Sequence, residues 1–454
     1  MIKNVFKAII LGLFIVLCIW QTGILWLGNV SSHNFLPIAK KVGYFALPEG
    51  IWVVKTGSYT LAFPINETKN EYERLVEELA ITIEEGIKST QLTKASDTTY
   101  SKLLSGNGIL FDYAVPVSLD QIAGVDLTPQ QTTGMIDTVF VDMVDSGADF
   151  LHIYFIDSDN QLFYKGEFYG KFEFFTRIKD IYSNEEATAN IFKYQPGATS
   201  GIKDYIKEEK TYFLPAISMK TPLLYTVLTS HNPLEETAEE ERLSKLKEYV
   251  NPFFLNPFIV NIEHKSNGDI VFADNISLIV KYSPSGTMEY KNTSSNEEGQ
   301  LYTAPKSFNK AMQFIMETKS IPQYIKDGMY LSDVVQNDND FTFYFETRYD
   351  GYKIEMREAL KNRLGVKAFV EVNVSNGIVN RAKWVILDVE PKDVYEVQFL
   401  TDNYQEPVEK MLSSRQVQDR LLLDDLRCVY AMNAVNRDIH VNWMAVYNGT
   451  SYYP

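Results

Sequence analysis

Side chains able to do chemistry are spread thinly through this chain. Its five histidines, His33, His152, His231, His264 and His440, are the natural bases and metal ligands, and none lies three to five residues from another. The thiols are Cys18 and Cys428. Zinc centres draw on ligands at short, regular spacings, so no metal site and no cofactor is expected. His152 alternates with apolar neighbours in Leu151–Ile156 and reads as a strand residue. Asp157-x-Asp159-x-Gln161 opens like a calcium loop. It lacks the glycine at the sixth position, and Phe168 stands where the bidentate glutamate belongs, so a hairpin tip is predicted.

Nucleophile elbows of the Gly-x-Ser-x-Gly type and phosphate-cradling glycine loops are absent. Ser105-Gly106-Asn107-Gly108 precedes a strand rather than a helix and reads as a turn. The acidic runs Glu235-Glu236 and Glu239-Glu240-Glu241 could pair carboxylates for glycoside cleavage. Charge at a helix N-terminus explains them more simply, since acidic groups favour that end of the dipole. No catalytic residue is assigned, and a non-enzymatic role is expected.

The strongest positional signal is at the start. Lys3 and Lys7 precede an uncharged run, Ala8 to Leu27. As a helix it would span about 30 Å, the thickness of the hydrocarbon core. Basic residues on its N-terminal side predict a cytoplasmic amino terminus and an exterior bulk. The sequence after it, Asn29-Val30-Ser31-Ser32-His33, has no Ala-x-Ala cleavage pattern, so an uncleaved signal anchor is preferred to a removed leader. Ala8, Gly12, Ile15, Ile19, Thr22 and Gly23 fall on one helical stripe. Small residues there permit close approach by another membrane helix, and Thr22 could hydrogen-bond across the contact. This stripe is the candidate partner-binding site.

The anchor holds two of the 43 basic residues and none of the 59 acidic ones, leaving an acidic exterior. That sign argues against nucleic acid or an anionic surface as partner. With Cys428 alone outside, no internal disulfide can form there, so cores rich in the 28 Tyr and 27 Phe must hold the exterior together. The pattern suits the outer face of a Gram-positive cell.

Periodicity divides the chain into a cytoplasmic tail (1–7), an anchor (8–28), a stalk (29–48) and three α+β units with antiparallel sheets (49–210, 211–325 and 326–454). In the first, short β-rich runs at 51–54 and 59–63 precede a capping box, Thr68-x-x-Glu71. A helix follows with the stripe Tyr72, Leu75, Val76, Leu79, Ile83 and Ile87. Strands are predicted at 109–113, 138–144, 150–156 and 161–164, then a helical or mixed stretch at 171–194, broken by Gln195-Pro196-Gly197. In the second, Thr237-x-x-Glu240 should cap a helix that Asn251-Pro252 stops. Strands are expected at 258–263, 269–273, 277–282 and 287–291. A helix near 306–318 should bury Phe308, Ala311, Met312, Ile315 and Met316. In the third, strands at 341–347, 352–356, 368–374 and 378–387 surround the hairpin signals Tyr349-Asp350-Gly351 and Ser375-Asn376-Gly377. Ser413-x-x-Gln416 should open a helix carrying Val417 and Leu421, before strands at 429–434 and 439–447.

Two groups of segments carry a family resemblance. One is Tyr212-Phe213-Leu214-Pro215, then Phe253-Phe254-Leu255-Asn256-Pro257-Phe258-Ile259-Val260, Val271-Phe272-Ala273-Asp274 and Met288-Glu289-Tyr290-Lys291-Asn292. The other runs from Phe343-Tyr344-Phe345-Glu346-Thr347-Arg348-Tyr349-Asp350-Gly351-Tyr352 through Val374-Ser375-Asn376-Gly377-Ile378-Val379. It ends at Val441-Asn442-Trp443 and Tyr447-Asn448-Gly449. With the single-span layout, these resemble the YycH family of two-component-system regulators. This chain departs from the family at Phe272-Ala273-Asp274-Asn275 and Gly351-Tyr352-Lys353-Ile354, where Tyr-Thr-Asp-Gly and Gly-Tyr-Pro-Val are usual. The resemblance implies a regulator beside a WalK-like sensor histidine kinase that controls cell-wall metabolism. It also implies a YycI-like single-span protein as companion, with contact partly through transmembrane helices. A membrane-anchored envelope enzyme of glycoside-hydrolase type, or an extracellular ligand-binding module, are the alternatives.

Overall fold

A computed structural model describes residues 46–56, 60–64, 69–99, 102–103, 106–125, 127, 134–143, 150–169, 174, 176–177, 179–180, 194–196, 213–215, 223–235, 237–274, 276–294, 303–397, 405–413, 423–435, 437–447 and 450–453. The expected span 8–28 and most of the stalk lie outside these residues. Among those described, no helix is long and apolar enough to cross a membrane.

The N-terminal sheet has nine strands among the described residues. They are β1 (Gly50–Thr56), β2 (Thr60–Pro64), β3 (Thr93–Lys94), β4 (Gly108–Ser118), β5 (Met135–Asp142), β6 (Phe150–Asp157), β7 (Leu162–Tyr169), β8 (Tyr194–Pro196) and β9 (Phe213–Pro215). Their order is β3-β7-β6-β5-β4-β1-β2-β8-β9, and every pair is antiparallel.

Alternation assigns the two faces. Ile51, Val53, Ile109, Phe111, Val139, Val141, Ile153 and Phe155 pack against helix α1 (Lys69–Gly86), whose predicted stripe is buried. The intervening residues Val54, Leu110, Phe140, Tyr154 and Ile156 form a smaller cluster with Leu103 on the opposite face. A short helix α2 (Leu119–Ala123) starts at a Ser118/Gln121 capping box and ends at Gly124 in the left-handed region.

The rest of the chain runs β10 (Leu223–His231), α3 (Glu239–Val250), β11 (Asn261–His264), β12 (Ile270–Ala273), β13 (Leu278–Ser283), β14 (Thr287–Asn292), α4 (Ala304–Glu317) and α5 (Gln323–Gly328). Next come β15 (Tyr330–Asn337), β16 (Asp340–Tyr349), β17 (Tyr352–Met356), α6 (Glu358–Leu364), β18 (Val370–Ser375), β19 (Ile378–Val385) and β20 (Asp388–Val397). Helix α7 (Gln405–Ser413) precedes β21 (Asp425–Met432), β22 (Asp438–Ile439), β23 (Val441–Tyr447) and β24 (Thr450–Tyr452). Strands β20, β10 and β22 form a small sheet. A sheet of twelve described strands follows the order β11-β12-β13-β14-β19-β18-β16-β17-β21-β23-β24, with β15 added on β16.

One row of that large sheet explains its core. In register from β16 outward come Phe343, Val372, Ala382, Tyr290, Val280 and Phe272, all buried. Helix α4 covers the buried face with Phe308, Ala311, Met312 and Ile315. The row ends on Ile262 of β11, where coverage runs out and the side chain is 36% exposed.

The α+β character and the antiparallel sheets agree with the sequence reading, with one exception. Strands β17 and β21 pair in parallel, which requires a long crossover, here the chain from 357 to 424. Other local expectations are corrected. Thr237 does not cap α3: its hydroxyl donates to Leu234 O, and Ala238 takes the N-cap position. Gln195-Pro196 sits in strand β8, so no helix runs through it. Phe258 and Ile259 lie in a 3-10 turn, because Pro257 starts a new turn and the Asn256 side chain caps it. Met316 faces outward from α4. Ser413 closes a helix instead of opening one. Residues 414–422, including Val417 and Leu421, lie outside the described set, as does most of the stretch at 171–194.

Candidate interaction surface

The predicted stripe Ala8, Gly12, Ile15, Ile19, Thr22 and Gly23 lies outside the described residues, as do His33 and Cys18. His152 sits on β6, and its Nε2 lies 3.1 Å from Glu167 on the paired strand β7. Asp157 holds the hairpin tip by accepting from the Asn160 backbone at 3.0 Å and from its side chain at 2.8 Å. Burial pushes the Cys428 thiol well above its usual range, which disfavours the reactive thiolate. Among the described residues, no group of three or more His, Cys, Asp or Glu could hold a metal ion.

The feature that stands out is an apolar ridge at the open end of the large sheet. After α3, the chain makes two 3-10 turns, Asn251–Phe253 and Pro257–Ile259, each with a proline in its first two positions that fixes φ. Phe253 and Phe254 turn inward. The Phe253 ring stacks on Phe314 at 5.7 Å and lies 5.2 Å from Tyr290 and 6.2 Å from Trp384. The Phe254 N–H donates to Asn251 O, and the Phe258 N–H to Asn256 Oδ1 at 3.1 Å. This internal bracing leaves Leu255 and Phe258 pointing out, 105% and 98% exposed, with Ile259 half exposed. Ile262 continues the ridge on the edge strand β11.

Single exposed apolar side chains are ordinary. Two almost fully exposed ones on a braced loop, next to a sheet edge, make this the candidate contact site. Charged groups border it: Glu263 pairs with Lys265, and His264 lies 4.0 Å from Glu239. An apolar centre with a charged rim is the anatomy of a protein–protein interface. Burying Leu255 and Phe258 would contribute about 1.5–3 kcal/mol each.

A second cluster lies at the seam where β4 meets the C-terminal strands. Arg427 on β21 bonds Glu49 at 2.5 Å and Asp425 at 2.5 Å. Burial alone would raise the Glu49 carboxyl, but Arg427 and Lys353 outweigh it and hold Glu49 ionised below its ordinary range. Asp112 lies beside Glu49, and there the pull of Arg427 is outweighed. Burial and the Glu49 charge push it up to about 8. Farther in, Lys361 on α6 bridges Glu346 and Glu355, at 3.3 Å from each, and Lys353 lies 3.0 Å from Glu355. Burial raises Glu346 to about 7 against the pull of Lys361. These groups come from β1's leading residues, β4, β16, β17, α6 and β21, so no local spacing could have grouped them. The ridge had a signal, the apolar run Phe253–Val260. Its outward half cannot be told from core by composition.

No family model and no curated protein matches the sequence. The crystal structure of YycH from Bacillus subtilis is similar in fold. Its TM-score is 0.55 at 12% sequence identity, and the alignment covers 93% of this chain and 99% of that one. Agreement over nearly the whole of both chains makes this a YycH-like protein by fold.

Proposed function

We propose that this chain is a membrane-anchored, extracytoplasmic regulator that works by binding and not by catalysis. Its partners are a WalK-like sensor histidine kinase and a YycI-like single-span protein in the same membrane. The system they serve controls cell-wall metabolism in a Gram-positive cell. The ridge Leu255–Ile262 docks the exterior of the single-span companion. The anchor stripe Ala8, Gly12, Ile15, Ile19, Thr22 and Gly23 packs against membrane helices of the assembly. Binding changes signalling only if the assembly prefers one kinase state over another. The single observation that supports this reading is the braced outward projection of Leu255 and Phe258.

Co-purification of the full chain with both partners from membranes tests it. Leu255→Ser with Phe258→Ser should cut recovery of the companion by about a hundredfold or more, as loss of two interface anchors predicts. Recovery at the wild-type level would remove the ridge from the account. Gly12→Leu or Thr22→Leu should lower recovery of the kinase, and no change in either would remove the stripe.

A further inference from the structure

The five residues Ala46–Gly50, where the stretch read as stalk (29–48) gives way to the first sheet, are gripped from two sheets at once. On the N-terminal side, the Ala46 N–H donates to Gln121 O at 2.7 Å and the Glu49 N–H donates to Asp112 O at 2.6 Å. On the other side stands Arg348, from the end of β16. Its Nη1 donates to Pro48 O at 3.1 Å, to Glu49 O at 2.8 Å and to the Tyr72 hydroxyl at 2.5 Å. The guanidinium also lies 3.7 Å over the Tyr72 ring. Tyr72 closes the circuit by donating to Pro48 O at 2.7 Å. Arg427, from β21, holds the Glu49 side chain.

Two arginines from the large sheet thus take three acceptors on a two-residue segment that begins a strand of the other sheet. Charge-assisted bonds to backbone carbonyls are strong and directional, and a planar guanidinium stacked on a ring cannot swing freely. Backbone support reinforces the grip. Gly328 in α5 packs so closely on Arg348 that a Cβ there would lie 2.0 Å from Arg348 O. The Thr347 hydroxyl beside it bonds the carbonyls of Tyr324 and Ile325 at 3.2 and 3.3 Å. Strands β16 and β21 belong to the same hydrogen-bonded sheet as β11, which carries the end of the ridge.

We propose that Arg348 and Arg427 form a clamp that makes residues 46–50 move with the large sheet. A load on the ridge, which rests on the docking reading above, is then felt where the chain leaves residues 1–45. Arg348 and Arg427 are positioning residues in this device. Tyr72 is the post against which Arg348 is held.

Hydrogen exchange of the full chain in detergent micelles, read peptide by peptide, tests the clamp without any partner. Arg348→Met should speed exchange across 46–56 by about tenfold or more, with α1 and the centre of β16 unchanged. Unchanged exchange at 46–56 would overturn the clamp. So would an equal rise throughout, which marks a general core support. If Arg348→Met does not fold, Tyr72→Phe removes one hydroxyl from the circuit and should give a smaller rise confined to 46–56. No rise there also overturns the clamp. Adding a purified YycI-type ectodomain to wild type should slow exchange both at 251–264 and at 46–56, and Arg348→Met should keep the first effect and lose the second. Protection at 251–264 alone in wild type would overturn the coupling. If that ectodomain protects neither region, the docking reading falls, while the partner-free exchange still decides the clamp.

Discussion

Asp112 gives the seam a measurable pH dependence. Its carboxyl is raised from an ordinary 3.8 to about 8 by burial first and by the neighbouring Glu49 charge second. A raised folded-state value means the folded protein keeps a proton that the unfolded chain releases. The contribution is therefore whole below about pH 4 and is lost as pH rises through about 8. Between pH 5 and 7 the slope is about 1.4 kcal/mol per pH unit, so this one group removes about 3 kcal/mol over that interval. Asp112 keeps some exposed area, and solvent narrows the pH window over which that slope applies, so about 3 kcal/mol is a ceiling. Asp137 and Asp425 are also raised and titrate in the same direction. The measurement is thus a difference: urea unfolding of the wild type and of Asp112→Asn, followed by tryptophan fluorescence in detergent from pH 5 to pH 8. The advantage of Asp112→Asn should widen steadily with pH. A gap constant within about 0.5 kcal/mol would refute the electrostatic reading of the seam.

Three other substitutions probe the framework. Gly328→Ala drives a Cβ to 2.0 Å from a backbone oxygen that cannot yield cheaply, so the urea midpoint should fall by the equivalent of about 2–3 kcal/mol. Trp384, fully buried, donates from Nε1 to Ser320 Oγ at 3.1 Å. Trp384→Ala should cost about 3–5 kcal/mol in the same assay and loosen the Phe253 stack under the ridge. Lys361→Met strips the shared cation from Glu346 and Glu355 and should destabilise by about 3–5 kcal/mol at pH 8. That loss should shrink at pH 5, where Glu346 takes up a proton.

The elements were most legible where a local rule acts alone. Asn376-Gly377 and Asp350-Gly351 adopt the paired positive φ values that a two-residue hairpin turn demands. The α1 stripe is buried as its spacing predicts. Strand β10 had no comparable signal, because its partners β20 and β22 lie more than 150 residues away and its pairing is a tertiary event. The error at Phe258 and Ile259 has a local cause: an apolar run looks like a strand until the proline and the asparagine cap are given their weight. Whether such a run faces core or solvent depends on distant residues such as Phe314, Tyr290 and Trp384, which receive Phe253. The seam was illegible for a different reason. Glu49, Asp112 and Arg427 matter only because folding brings them together.

Site-specific photocrosslinking from position 258 in living cells asks whether the ridge meets a partner. With benzoylphenylalanine replacing Phe258, irradiation should give a covalent adduct with a single-span membrane protein, while the same probe at the exposed Lys291 gives none. An unmodified chain after irradiation at 258, or equal adducts from both positions, would contradict an account in which this ridge is the docking face.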